Sequence, residues 1–160
     1  VSAMHEVFTR SVEIAAPVGV VWGFHARADA LGRLTPPWVH VTLVSAPEPG
    51  LQAGKRVVLR QRVGPVRFEL VAVHVACEEE RLFADRVTGG PFKYWLHRHL
   101  FAATPAGCRL TDEITYELRG GALGRLVAGR MLRRELAQMF AFRHAVTRRI
   151  CEEEVRPVGA

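Results

Sequence analysis

The chain has 160 residues, 49% of them hydrophobic, and a formal net charge of +6. That length and composition describe one domain with enough apolar material for a core, and they exclude a disordered chain. No apolar run approaches the roughly 18–20 residues of a membrane span, and the first residues lack a basic, an apolar and a cleavage region in succession, so the expectation is a cytoplasmic protein rather than a secreted one.

The residues from Glu6 to Ile14 place Phe8, Val12 and Ile14 loosely between polar neighbours, which predicts a half-buried first strand. Pro17 suits the first turn of a short helix in which Val18, Val21 and Trp22 share a face, with Phe24 near its edge. Asp29 is expected to cap a second short helix holding Leu31 and Leu34, stopped by Thr35-Pro36-Pro37. A second strand runs over Val39 to Val44 and closes at Ala46-Pro47-Glu48-Pro49-Gly50.

Two longer strands follow, Lys55 to Val63 and Val66 to Cys77, with a hairpin signal at Gly64-Pro65. In the second of them Val66, Phe68, Leu70, Ala72 and His74 share a face. Glu78-Glu79-Glu80 reads as a solvated turn, and Arg81 to Val87 as a fifth strand. Thr88-Gly89-Gly90-Pro91 turns the chain into strands six and seven, Phe92 to Ala103 and Cys108 to Leu118. Gly120-Gly121 releases it into a long helix from about Leu123 to about Glu153.

That helix carries Leu132, Leu136, Met139, Val146 and Ile150 on one stripe, widened by Phe140. Gly124 and Gly129 weaken its first turns by about 1 kcal/mol each relative to alanine, which predicts a loose or kinked start. The expected fold class is α+β, with a curved antiparallel sheet of about seven strands wrapped around the terminal helix. The domain spans residues 6–153, with 1–5 and 154–160 as tails.

Strand six supplies the candidate chemistry. With period two, Trp95, His97, His99 and Phe101 face one side, and in strand seven Asp112 and Tyr116 share a face that can look the same way. His97, His99, Asp112 and Tyr116 then form a polar patch in an apolar interior, as a pocket for a mostly apolar molecule with one polar end requires. His74 can join it from the Phe68 face. Three readings stay open: the groups satisfy one another structurally, they hydrogen-bond a ligand, or a histidine oriented by Asp112 moves a proton. The catalytic candidates are His97, His99 and Asp112.

The H-x-H pair sets two imidazoles on one face, but no neighbouring Cys or Glu completes a metal set, so neither metal nor cofactor is expected. No G-x-G-x-x-G, Walker, G-x-S-x-G or H-E-x-x-H motif occurs. Arg143 lies on the helix's apolar stripe, where it either snorkels or meets an acid or an anionic ligand. Trp22 and Trp38 are read first as core, and Trp38 second as ligand contact. Cys77, Cys108 and Cys151, odd in number and without C-x-x-C, are expected to be buried, reduced thiols.

The arginines of the last helix make a basic face. They are not interleaved with aromatics as in a nucleic-acid module, which argues against nucleic acid and leaves contact with anionic lipid open.

Ile14-Ala15-Ala16-Pro17-Val18-Gly19-Val20-Val21-Trp22, the stretch Gly90 to Phe101, and Met139-Phe140-Ala141-Phe142-Arg143-His144 resemble the START-like, or SRPBCC, helix-grip superfamily, with Leu34-Thr35-Pro36-Pro37-Trp38 adding to the likeness. That superfamily includes the birch pollen allergen, polyketide cyclases and lipid-transfer domains. The resemblance implies a cavity between sheet and long helix and a small apolar or amphipathic partner such as a lipid, a polyketide or an aromatic molecule. It carries over no active site. The cavity lining expected from strand and helix faces is Trp38, Phe68, His74, Trp95, His97, His99, Phe101, Asp112, Tyr116, Leu136, Met139, Phe140 and Arg143. The leading expectation is a carrier. A cyclase or dehydratase, acting as a lyase or isomerase, is the alternative, and an interaction module for anionic lipid or RNA is a second one.

Overall fold

A computed structural model describes residues 5–45, 49–63, 65–120 and 122–157. Seven strands form one sheet: β1 (Glu6–Ile14), β2 (His40–Ser45), β3 (Arg56–Val63), β4 (Val66–Glu78), β5 (Leu82–Gly89), β6 (Phe92–Thr104) and β7 (Gly107–Leu118). Two short helices, α1 (Val18–His25) and α2 (Ala30–Arg33), follow β1, and α3 (Ala122–Glu154) follows β7. This is the expected helix-grip architecture. Expectations that involve Ala46, Pro47, Glu48, Gly64, Gly121 and the two extreme tails fall partly or wholly outside the described residues.

The strand order is β1-β7-β6-β5-β4-β3-β2, and every pairing is antiparallel. Short turns join β3 to β7 and residues 46–55 join β2 to β3, making β2 to β7 a meander, because adjacent antiparallel strands need no crossover. The two short helices instead carry the chain from one edge strand, β1, to the other, β2. Register shifts at Leu43/Ser45, His74/Ala76 and Phe92/Tyr94 interrupt the ladders. Such bulges bend and twist a strand, and they help to curve this sheet. Gly107 opens β7 at φ 143°, where an added Cβ would lie 2.2 Å from the Ile14 carbonyl oxygen, so the β6–β7 turn sits directly on the end of β1.

The inner face has two apolar clusters. One joins Ile14, Trp22, Phe24, Phe83, Phe101 and Leu110 beneath α1. The other joins Phe8, Ile114, Tyr116, Leu118, Leu136 and Phe140 beneath α3. In β7 the residues Cys108, Leu110, Asp112, Ile114 and Tyr116 are all buried, as the period-two pattern predicts. In β3 and β4 no residue is buried, and Val57, Leu59, Phe68, Leu70 and Ala72 are half-buried. The helix α3 packs chiefly along β1, with α1 and β7 beside it.

The long helix runs unbroken through Gly124 and Gly129, so the expected loose or kinked start is not a break in the helix. Gly129 is buried against β1, and a Cβ there would come within 3.2 Å of Glu6 Oε1. Its buried line runs Leu136, Phe140, His144, Thr147, Cys151, one residue beyond the expected Met139, Val146 and Ile150, which are half-buried. Two polar residues can occupy that line because each has a partner: His144 meets Asp112, and Thr147 Oγ1 donates to the Arg143 carbonyl at 2.9 Å.

Asp29 does not cap α2. It has helical φ and ψ and makes no cap hydrogen bond, because Arg27 and Arg33 take its carboxylate at 2.6 to 3.0 Å. The three cysteines are free, Cys108 and Cys151 buried and Cys77 only half-buried.

Candidate functional site

Between the two apolar clusters lies a row of ionisable side chains that crosses the sheet at one level. Strand register sets it: His74 faces Asp85 across β4 and β5, Asp85 faces His97 across β5 and β6, and His99 faces Asp112 across β6 and β7. The helix α3 adds His144 and α1 adds His25, so five of the chain's seven histidines gather here.

Asp112, 3% exposed, is the hub. Its Oδ1 accepts a hydrogen bond from His97 Nε2 at 2.7 Å, and its Oδ2 accepts one from His144 Nε2 at 2.6 Å. His99 Nδ1 also lies 2.8 Å from Oδ1, but its N–H is not aimed at an acceptor, so this is a contact of charge rather than a formed hydrogen bond. On its other side His99 Nε2 stands 3.7 Å from Asp85 Oδ2, and His74 Nε2 is 3.1 Å from Asp85 Oδ1. Rings pack the row in place: His99 stacks on Phe83 at 3.8 Å between centroids, and the edge of His97 meets Phe140 at 5.3 Å.

The charges divide unevenly. Burial pushes the Asp112 carboxyl up, but the charge of His99 and the hydrogen-bonded N–H groups of His144 and His97 outweigh it and hold Asp112 well below the usual carboxylate range. For His99 burial acts downward, and Asp112 and Asp85 on its two sides override it and raise it. Burial, then repulsion from His99, brings His97 down to about 4. His25 falls to about 4 for the same two reasons. Its Nδ1 is 2.8 Å from the Val21 carbonyl and donates to it in the neutral ring. The arrangement is an ionised carboxylate, one imidazole biased towards the cation, and neutral imidazoles beside it. It can hold or pass a proton, and it offers several nitrogen and oxygen donors to a ligand or an ion.

The fold separates the expected site residues. His74, His97, His99 and Asp112 join the row. Phe101, Leu136 and Phe140 are buried in the flanking clusters, with Trp95 and Met139 half-buried beside them. Tyr116 is buried on the expected face but does not join the polar patch. Its ring packs in the α3 cluster, and its hydroxyl donates to Glu6 Oε2 at 3.0 Å. Phe68 lies farther along the half-buried inner face of β4.

Trp38 is not core. It follows two prolines, is 48% exposed, and leans one edge on Phe142 at 5.6 Å. Arg143 does not snorkel. Its Nε donates to the Leu34 carbonyl at 3.1 Å, and its guanidinium lies 5.2 Å from the centre of the Phe140 ring.

Sequence reasoning missed Asp85, His144 and His25. Counting register outward from the Gly89-Gly90 turn sets Asp85 opposite Tyr94, on the other face, so the observed pairing with His97 was not available from the turn. His144 follows Phe140 by four on the same helix face, so the helical period alone placed it inward. For His25 the only signal was its position four after Val21.

The sequence matches the family described as polyketide cyclase / dehydrase and lipid transport over residues 5–145. The chain belongs to that family. With it the chain falls in the START-like, or SRPBCC, helix-grip superfamily. None of the curated proteins matches the sequence. Among solved structures it is similar to the Zhui aromatase/cyclase from Streptomyces sp. R1128, at 18% identity and a TM-score of 0.72 over 98% of this chain and 99% of that one. It is also similar to norcoclaurine synthase from Thalictrum flavum, in complex with dopamine and hydroxybenzaldehyde, at 13% identity and a TM-score of 0.69 over 98% and 91%. The di-domain aromatase/cyclase StfQ from the steffimycin biosynthetic pathway gives 16% and 0.70, with 95% of this chain covering 52% of that one. At these identities the likeness is one of fold. Among the described residues no helix is long and apolar enough to cross a membrane.

Proposed function

We propose that this chain holds a small, largely apolar molecule between the inner face of β3 to β5 and α3, with the molecule's polar end against the histidine–aspartate row. The observation that carries this is the contrast along one inner face. The residues on the Phe83 side of the row are packed dry, while Val57, Leu59, Phe68, Leu70 and Val87 beyond it are apolar yet only half-buried. An apolar wall that the protein itself does not cover, ending on a few convergent polar groups, has the chemistry of a ligand pocket. The family description, which includes lipid transport, agrees with it. Native mass spectrometry of gently extracted protein tests it. The expected result is a non-covalent adduct that is weakened in Leu70→Asp. A bare chain that also takes up no apolar probe would overturn it.

A second reading, a cyclase or dehydratase, is favoured by one detail. Asp112 fixes the tautomer of His97 by accepting its Nε2–H, which leaves Nδ1 as the lone-pair nitrogen. An imidazole held that way is oriented to accept a proton from a carbon next to a carbonyl. Turnover of a β-dicarbonyl probe, lost in His97→Asn with the fold retained, would establish it. Adduct formation without turnover would leave the carrier reading alone.

A further inference from the structure

We propose that Asp85, His97 and His99 form a binding site for a divalent first-row transition metal, of which zinc suits the donors best. The inference goes beyond the carrier and cyclase readings and stands without either. The sequence supplies an H-x-H pair with no third ligand nearby. The fold supplies the third from β5, and donor atoms of the three residues lie within 4.8 Å of one another in the interior.

The geometry of the two imidazoles points the same way. A ligating histidine uses one ring nitrogen for the metal and has the other held, most often by a carboxylate. Here one carboxylate faces both rings, hydrogen-bonded to His97 and in charge contact with His99. Asp112 Oδ1 accepts from His97 Nε2 at 2.7 Å and sits 2.8 Å from His99 Nδ1. That leaves His97 Nδ1 and His99 Nε2 unused by Asp112. His99 Nε2 turns to Asp85, where its 3.7 Å separation from Oδ2 is too long for a hydrogen bond. Two donors on one zinc ion, each about 2.0–2.2 Å from it, stand roughly 3.3 Å apart, which is close to that separation.

Hydrogen bonding also leaves this corner of the row incompletely satisfied. Asp85 Oδ1 and His99 Nδ1 are buried and have no aligned hydrogen-bond partner among the described residues. Donors gathered this closely without bonding one another are expected where an ion completes them. His74, 3.1 Å from Asp85 Oδ1, positions the carboxylate from the far side. Two imidazoles and one carboxylate select zinc, cobalt, nickel or iron(II) over calcium and magnesium, whose ligands are oxygens. Three protein ligands would leave coordination positions for water or for a ligand oxygen.

The test uses the full chain without an affinity tag, stripped with a chelator. Titration with Zn2+ by calorimetry and with Co2+ by visible absorption is expected to saturate at one ion per chain and to raise the melting temperature. Asp85→Asn with His97→Asn is expected to abolish saturation, and Asp112→Asn to weaken it roughly 10–100-fold. His40→Ala, an exposed histidine outside the row, is expected to leave it unchanged. Circular dichroism checks that each variant folds. Should the double variant fail to fold, the histidine nitrogen chemical shifts of the native chain decide instead: zinc moves His97 Nδ1 and His99 Nε2 if the site is right. No saturable binding by the native chain, binding that survives the double variant, or shifts confined to other histidines would overturn the proposal.

Discussion

The β1, β6, β7 and α3 side of the molecule and the β3, β4 and β5 side are built from the same kind of strand and end in different states. Both alternate apolar and polar residues. On the first side Ile114 and Tyr116 are fully enclosed, with Leu136 and Phe140 of α3 packed over them. On the second, Leu59, Phe68 and Leu70 face inward and stay half-buried. Alternation therefore decides which way a side chain points, while its burial depends on what the helix brings to meet it.

The largest test of that contrast is a pair of truncations. Phe140→Ala is expected to cost about 3–5 kcal/mol in denaturant unfolding, as large-to-small changes in a packed core do. Phe68→Ala is expected to cost about 1 kcal/mol, in proportion to its partial burial, and to weaken uptake of an apolar probe. Equal costs would erase the distinction between the two sides. Asp112→Ala falls in the upper range as well, about 3–5 kcal/mol, because three imidazoles lose the carboxylate they surround. A change of a few tenths would show that the row is far wetter than its burial implies.

A smaller effect concerns pH. His25 and His97 stand at about 4 in the fold and near 6.5 when unfolded. As pH falls from 6.5 to 4 the unfolded chain takes up protons that the folded chain refuses, so stability declines across that window. His99, raised in the fold, acts oppositely, its contribution being complete below 6.5 and lost as pH rises through its folded value. Asp112 and Asp85, both lowered, contribute above about 4 and lose that contribution in stronger acid. Melting temperatures of His25→Phe are expected to fall less between pH 6.5 and 4 than those of the native chain. An unchanged slope would place His25 in contact with water.

The smallest expected change is on the outer face. Arg98→Ala, which removes a partly exposed ion pair with Glu113 at 3.3 Å, is expected to cost roughly 0.2–1 kcal/mol. A larger loss would mean that the outer face of β6 is covered in solution.

Much of this was legible in the residues. Period two placed His97, His99 and Asp112 on the inner face, and the step of the last helix found Leu136 and Phe140. What pattern could not give was level. A face contains every second residue of a strand, and only the register between strands brought Asp85 beside His99 and left Tyr116 to Glu6 instead. The helical stripe failed differently. It was drawn through apolar residues, and its true centre includes His144 and Thr147, which are inside because they have partners. Trp38 stays outside the core because aromatic size does not by itself bring burial, and just after two prolines its ring meets Phe142 by one edge.

The pairing of β1 with β7 has a consequence for how the chain acquires its shape. Ser11 meets Thr111 through their hydroxyls at 2.8 Å, 100 positions apart. During synthesis the first strand emerges long before its ladder partner β7 exists, and it has to wait unpaired while the intervening hairpins form by local contacts. Closing so large a loop makes the step slow relative to those hairpins, so the late joining of β1 to β7 is expected to govern the folding rate.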